Sequence, residues 1–275
     1  MLVWAGAFSA IKRLTDDGVA AGDIAVARYA VAAPGFAAAL WLRGGMPGLT
    51  RRELVRLVVA GLLVVTAYHM ALNIGERTAS AGASSVIVGV APALTLALSV
   101  SLGLERFSRR RAGGLALAFL GVLVVVLLGA GQRVDAADLG GPLLVVAAAA
   151  AFASYNVLAK PLVTRHDPIA VTAAASLIGT VGLLPLARPG TLVPAGMPPL
   201  GDSLLVLYLG LVCTLAAYIA WTVALRRVDP SQAVSFVYAI PVAAVAISAL
   251  LLGETLTPWL ALGGGLVVGG VVAAR

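Results

Sequence analysis

Apolar residues run along this chain in blocks of about twenty, broken by short clusters of charge, glycine and proline. The blocks lie near 22–42, 54–75, 79–103, 112–130, 140–164, 168–187, 203–225, 231–252 and 257–274. A first, shorter one covers 1–11 and stops at Lys12-Arg13. Twenty helical residues rise about 30 Å, the thickness of a bilayer's hydrocarbon. Each full block therefore predicts a spanning helix. Eleven residues rise only about 16 Å, so the first helix is expected to be truncated at its N-terminus, with its start upstream of this chain. The breakers are Asp16-Asp17-Gly18, Gly44-Gly45-Met46-Pro47-Gly48, Arg109-Arg110-Arg111, Gln132-Arg133, His166-Asp167-Pro168, Asp229-Pro230 and Thr257-Pro258. The longest connection, Pro189 to Asp202, is rich in proline and glycine, and no loop is long enough to hold a soluble domain. The pattern predicts an all-α integral membrane protein of ten helices.

One stretch occurs twice. Ala91-Pro92-Ala93-Leu94 runs through Ser99 to Gly103-Leu104-Glu105, and Ile240-Pro241-Val242-Ala243 runs through Ser248 to Leu252-Gly253-Glu254. A shift of 149 positions pairs Pro92 with Pro241, Ser99 with Ser248 and Glu105 with Glu254. The same shift pairs Gly114 with Gly263 and Gly121 with Gly270 in the next block. We read a duplication, with one five-helix repeat in 1–130 and the second in 140–275. Five is odd, so the second copy is inverted across the membrane. Inverted repeats are the architecture of many secondary transporters, whose sites lie near the midplane between the halves.

Composition agrees with the pattern. Hydrophobic residues make up 61% and charged residues 11%, against about 25% charged in soluble domains. The net charge of +7 would suggest nucleic acid in a soluble protein. Here Lys and Arg sit in short loops, so no nucleic-acid partner is expected and the bilayer is the surroundings. With the N-terminus in the cytoplasm, inner loops hold 13 basic residues and outer loops 5. That bias sets the orientation, with both termini cytoplasmic in the inner (plasma) membrane. The lone Cys213 lies in an apolar block and is expected to serve packing.

Several motifs together resemble the EamA-type members of the drug/metabolite transporter superfamily. They are Trp4-Ala5-Gly6-Ala7-Phe8 with Ile11-Lys12, Ala27-Arg28-Tyr29, Ala71-Leu72, the two Pro…Gly/Glu segments, and the glycine-spaced fifth and tenth helices. The family's usual Trp-Gly stands here as Trp4-Ala5, and Thr172 to Ala175 occupies a place where an Arg is expected. The resemblance implies ten helices and transport of metabolites or drugs, often outward.

Arg28 is the one basic residue well inside a block, and an Arg at a span's centre costs about 2.5–3.5 kcal/mol. It either snorkels outward or pairs with Asp23, or it faces a cavity and attracts an anion. His69 and Tyr218 are repeat mates, as are Asn73 and Thr222. Inversion places such mates on opposite sides of the midplane. We expect Trp4, His69, Asn73, Tyr155, Asn156, Tyr218, Trp221 and Tyr238 to line a substrate cavity, because amphipathic rings bind a part-apolar metabolite. Interhelical hydrogen bonds are the competing role for the polar members. Pro92 and Pro241 remove backbone hydrogen bonds and kink their helices, and are expected to act as hinges. Glu76, Glu105 and Glu254 are expected to be solvated helix ends, leaving no membrane-embedded carboxylate. Gly265 to Gly269 is a GxxxG that permits close helix approach, within the chain or in a homodimer. Two histidines cannot build a multi-His metal site, and no metal or cofactor is expected. There is no Walker A sequence, so energy would come from a gradient. The expected function is export of small organic metabolites, such as amino acids or amphipathic compounds, by alternating access. An intramembrane enzyme lacks GxSG, GxGD or HExxH support, and a channel or scaffold lacks charge rings.

Overall fold

The computed structural model describes residues 2–104, 108–128, 139–186, 199–227 and 239–273. Among these residues every regular element is helical. We label them α1 (Leu2–Asp16), α2 (Ala21–Leu42), α3 (Arg51–Gly75), α4 (Ala81–Ser101), α5 (Arg109–Leu128), α6 (Gly140–Arg165), α7 (Pro168–Leu183), α8 (Leu200–Arg227), α9 (Ala239–Leu252) and α10 (Pro258–Ala273). By length and composition, six of the described helices (α2, α3, α4, α6, α7 with its 3-10 extension, and α8) can each cross a membrane. Shorter apolar segments fall in α5, α9 and α10. α1 runs past the expected stop at Lys12-Arg13, because Lys12–Asp16 and Arg13–Asp17 pair one turn apart at 2.9 Å each.

Among the described residues, two helices contain wide π turns. In α3 the turn covers Leu62–Ala67, and in α8 it covers Tyr208–Ala216. The two end at positions 149 apart, the register of the sequence repeat. A π turn displaces carbonyls from their usual partners. Thr214 Oγ1 donates to the Leu209 carbonyl five residues back at 2.7 Å, and His69 Nδ1 lies 3.0 Å from the Val64 carbonyl, also five back.

α4 is interrupted at Gly89–Val90, between Ala81–Val88 and Ala91–Ser101. Pro92 sits in the first turn of the second half, where its ring excludes the carbonyl four residues back. Pro241 reaches the same place from α9, since a Cβ built on Gly89 would lie 3.0 Å from its Cγ.

α5 and α10 pack antiparallel through glycine. A Cβ on Gly121 would meet the Gly263 carbonyl at 2.6 Å, and a Cβ on Gly270 would meet the Gly114 carbonyl at 2.5 Å. Backbone contact this close excludes any side chain at these sites. The GxxxG glycines point elsewhere, with nothing within 4 Å of a Cβ on Gly265 or Gly269. The in-chain seam is therefore built by the Gly263 and Gly270 face of α10 and not by the GxxxG.

Glu254 departs from the expectation of a solvated end. Gly253 takes φ +67, which turns the chain back past α9. The Glu254 carboxylate then accepts from the Ala81 and Gly82 N–H groups at 2.7 and 3.0 Å. It caps the N-terminus of α4, where free donors and the helix dipole favour an anion. Glu76 departs further, being wholly buried with neither carboxylate oxygen hydrogen-bonded among the described residues. Glu105 lies outside the described residues.

Candidate functional site

A small cavity of about 40 Å³ lies where α1, α2, α3, α4, α6, α8 and α9 converge. Its ring-bearing and charged lining comprises Trp4, Phe8, Arg28, Tyr68, His69, Phe152 and Tyr218. Apolar contacts from Ile11, Leu72, Val88 and Ile240 close the remainder.

The rings hold one another edge to face. Trp4 has its centroid 5.8 Å from Tyr218 and 5.7 Å from Trp221, at interplanar angles of 72° and 61°. His69 sits 5.1 Å from Tyr29 and 4.8 Å from Tyr68, both near perpendicular. Such geometry aligns the positive ring edge with a negative face and stabilises each pair by about 0.5–1.5 kcal/mol beyond burial. Trp4 is also fixed by its indole N–H, which donates to the Cys213 carbonyl at 2.8 Å. Cys213 Sγ in turn lies 3.1 Å from the Val3 carbonyl, so this buried cysteine helps seat α1 on α8.

The π turns place the polar groups. In α8 the turn brings Thr214 inward, and its hydroxyl oxygen accepts from Arg28 Nε at 2.8 Å. Arg28 is 3% exposed, yet it lines the cavity. It faces inward and lines the cavity instead of snorkelling outward. In α3 the turn leaves the Val64 and Val65 carbonyls at 3.0 and 3.1 Å from His69 Nδ1. Carbonyls only accept, so Nδ1 carries the hydrogen, and in the neutral ring Nε2 presents a lone pair. That Nε2 is buried without a hydrogen-bond partner among the described residues.

Of the eight expected cavity residues, Trp4, His69 and Tyr218 line the space. Trp221 stands behind them, donating from its indole to Asn156 Oδ1 at 3.1 Å. Asn156 also donates to the Phe152 carbonyl at 2.9 Å, so its amide locks α6 to α8 and does not reach the cavity. Tyr155 is buried and stacks on Phe152 at 6.2 Å. Asn73 donates to the Ala21 carbonyl at 3.0 Å, tying α3 to α2. Its repeat mate Thr222 meets the Thr172 hydroxyl, tying α8 to α7. These two are interhelical ties, the competing role weighed for them. Tyr238 lies outside the described residues. Tyr68 and Phe152 line the cavity without having been singled out. Tyr68 directly precedes His69, and Phe152 is one residue from the repeat mate of Trp4 (position 153), so the duplication itself carried a signal for Phe152.

The model of the EamA-like transporter family matches this chain twice, over residues 1–127 and 139–274. The chain belongs to the EamA-like transporter family. It is similar to an "Uncharacterized transporter" of Archaeoglobus fulgidus, at 31% identity over 98% of this chain and 93% of that one. It is also similar to a "Probable terminal-alkyne amino-acid exporter" of Streptantibioticus cattleyicolor, at 29% identity over 99% and 89%. A "Probable amino-acid metabolite efflux pump" of Salmonella typhimurium is 29% identical over 70% of this chain and 66% of that one. A solved crystal structure superposes with a TM-score of 0.69 over 100% of this chain and 94% of its own, at 21% identity, and so shares the fold. This EamA-like chain is a multi-pass membrane transporter and not an enzyme.

Proposed function

We propose that this transporter exports small organic molecules that join a carboxylate to an apolar body, amino acids among them, by alternating access around the aromatic cavity. The observation that carries the reading is the buried Arg28 guanidinium set among rings. Thr214 engages only its Nε, and a guanidinium has five N–H donors that suit a carboxylate. The His69 Nε2 lone pair suits an ammonium or hydroxyl donor. Trp4, Tyr68, Phe152 and Tyr218 offer apolar faces for the remainder. The names of two relatives, an amino-acid exporter and an amino-acid metabolite efflux pump, favour the same class.

At about 40 Å³ the cavity has room for a few waters, so a metabolite enters only when helices part. The Gly89–Val90 break beside Pro92 and the two π turns are the places where α4, α3 and α8 bend most cheaply. Ten spans in two inverted halves, 1–130 and 140–275, are part of this reading. Support comes from the doubled family match, the matched π turns and the glycine contacts. The Gly114–Gly270 contact becomes the Gly263–Gly121 contact when each residue is replaced by its mate, as a twofold axis in the membrane plane requires. The basic-residue bias supports cytoplasmic termini in the inner membrane.

The test is purified protein in liposomes loaded with an unlabelled amino-acid panel and offered the same labelled compounds outside. Exchange of apolar amino acids by the native protein, lost in Arg28→Gln, is the expected result. Exchange that Arg28→Gln leaves intact would overturn the assignment of the cavity.

A further inference from the structure

α3 and its C-cap residue carry three buried polar side chains on one face. His69, Asn73 and Glu76 are spaced four and three residues apart, which stacks them along the helix. Their exposures are 1%, 0% and 0%. Each has an atom without a hydrogen-bond partner among the described residues: His69 Nε2, Asn73 Oδ1 and both oxygens of Glu76. Seven helical residues rise about 10 Å, so the stripe leads from the cavity at His69 to the end of α3 at Glu76.

Among the described residues, the charged groups that act most on Glu76 are the Glu254 carboxylate, the Lys12 ammonium of α1 and the Arg28 guanidinium of α2. Each is already engaged. Glu254 holds the first N–H groups of α4, Lys12 pairs with Asp16 at 2.9 Å, and Arg28 holds Thr214. Glu76 forms no ion pair among the described residues. A wholly buried carboxylate with neither hydrogen bond nor ion pair is strongly disfavoured as an anion. A proton removes that charge without needing space. A metal cation would need several oxygen ligands, and no cluster of three such residues exists among the described ones.

We propose that Glu76 is a proton-binding site that couples this transporter to a proton gradient. It holds a proton as the neutral acid while the helices that bury it are closed. When they part, water reaches the carboxyl and the proton leaves as hydronium, giving the carboxylate. Asn73 and His69 link this event to the cavity through the same face of α3. The coupling rests on the transport reading above; the proton site does not.

The full-length purified chain tests both. Infrared difference spectra across pH read the carbonyl stretch of a buried protonated carboxyl in native protein, Glu76→Gln and Glu76→Asp. A band present in native protein at neutral pH, absent in Glu76→Gln and displaced in Glu76→Asp is expected. No such band at neutral pH, or a band unchanged in Glu76→Gln, overturns the proton site. The same proteins in liposomes then meet a tenfold proton gradient and labelled amino acids. With one proton exchanged per substrate, native protein accumulates up to about tenfold, since equal ratios carry equal free energy. Glu76→Gln should exchange labelled for unlabelled substrate and accumulate none. Native exchange that ignores the gradient overturns the coupling. Infrared bands as expected with no amino acid exchanged at all would support the proton site and count against the substrate reading.

Discussion

Arg28 is the residue on which the proposed recognition of a carboxylate turns. Among the described residues its Nε donates to Thr214, and removing its charge would leave the carboxylate of the proposed substrate without a partner. Hydrogen bonds between charged groups contribute about 1.5–3 kcal/mol. Arg28→Gln should therefore weaken binding of an amino acid about ten- to a hundredfold, read by isothermal titration or by Trp4 fluorescence. Tyr155 behaves differently, because it backs Phe152 instead of facing the cavity. Tyr155→Phe keeps that stack, and we expect substrate affinity within about twofold of native in the same titration. Phe152→Ala removes a ring that touches Trp4, Tyr68 and Trp221 at 6.4, 5.7 and 6.2 Å. Large-to-small changes of this kind cost about 3–5 kcal/mol of stability, so its loss of binding should come with a lowered melting temperature.

Helices meet here through backbone, and glycine decides where. A side chain at Gly121 would strike the Gly263 carbonyl and the Val267 amide at 2.6 and 2.7 Å, both atoms of main chain. Gly121→Val should force α5 and α10 apart at a cost of about 1–3 kcal/mol, lowering the thermal midpoint. Gly265→Ala meets nothing within 4 Å and should shift stability by less than about 0.5 kcal/mol. Equal midpoints for the two variants would contradict the observed seam. The break in α4 makes a second element-scale prediction. Pro92→Ala restores a backbone donor where Gly89–Val90 interrupts the helix. We expect slower exchange with substrate affinity near native, because the change stiffens a bend and leaves the cavity lining intact.

Across the whole molecule, orientation is a matter of charge. Cysteines introduced at Arg110 and Arg227 should react with an impermeant maleimide only from the cytoplasmic side, and one at Gly190 only from outside. Native Cys213 is buried and gives a low background. Labelling of positions 227 and 190 from the same side would overturn the proposed topology.

The membrane class, the helix blocks, the repeat register and the family were all legible in the sequence. Each rests on composition or spacing, properties carried by the order of residues alone. Trp4, His69 and Tyr218 could be singled out as cavity residues because a polar-edged ring in an apolar block has few uses. Spacing could not separate them from Asn73, Thr222 and Asn156, whose partners come from other helices. A side chain that ties two helices and one that faces a cavity look alike until the neighbours are placed. The π turns in α3 and α8 were invisible too, since that backbone pattern has no residue signature in this sequence. The carboxylates show the limit most sharply. Glu76 and Glu254 both follow helix ends in the sequence, where water normally surrounds a charge. Only the packing of neighbouring helices decided that one would cap α4 and the other be buried with no hydrogen-bond partner among the described residues. Burial is set by what surrounds a group in space, and sequence position alone does not contain that.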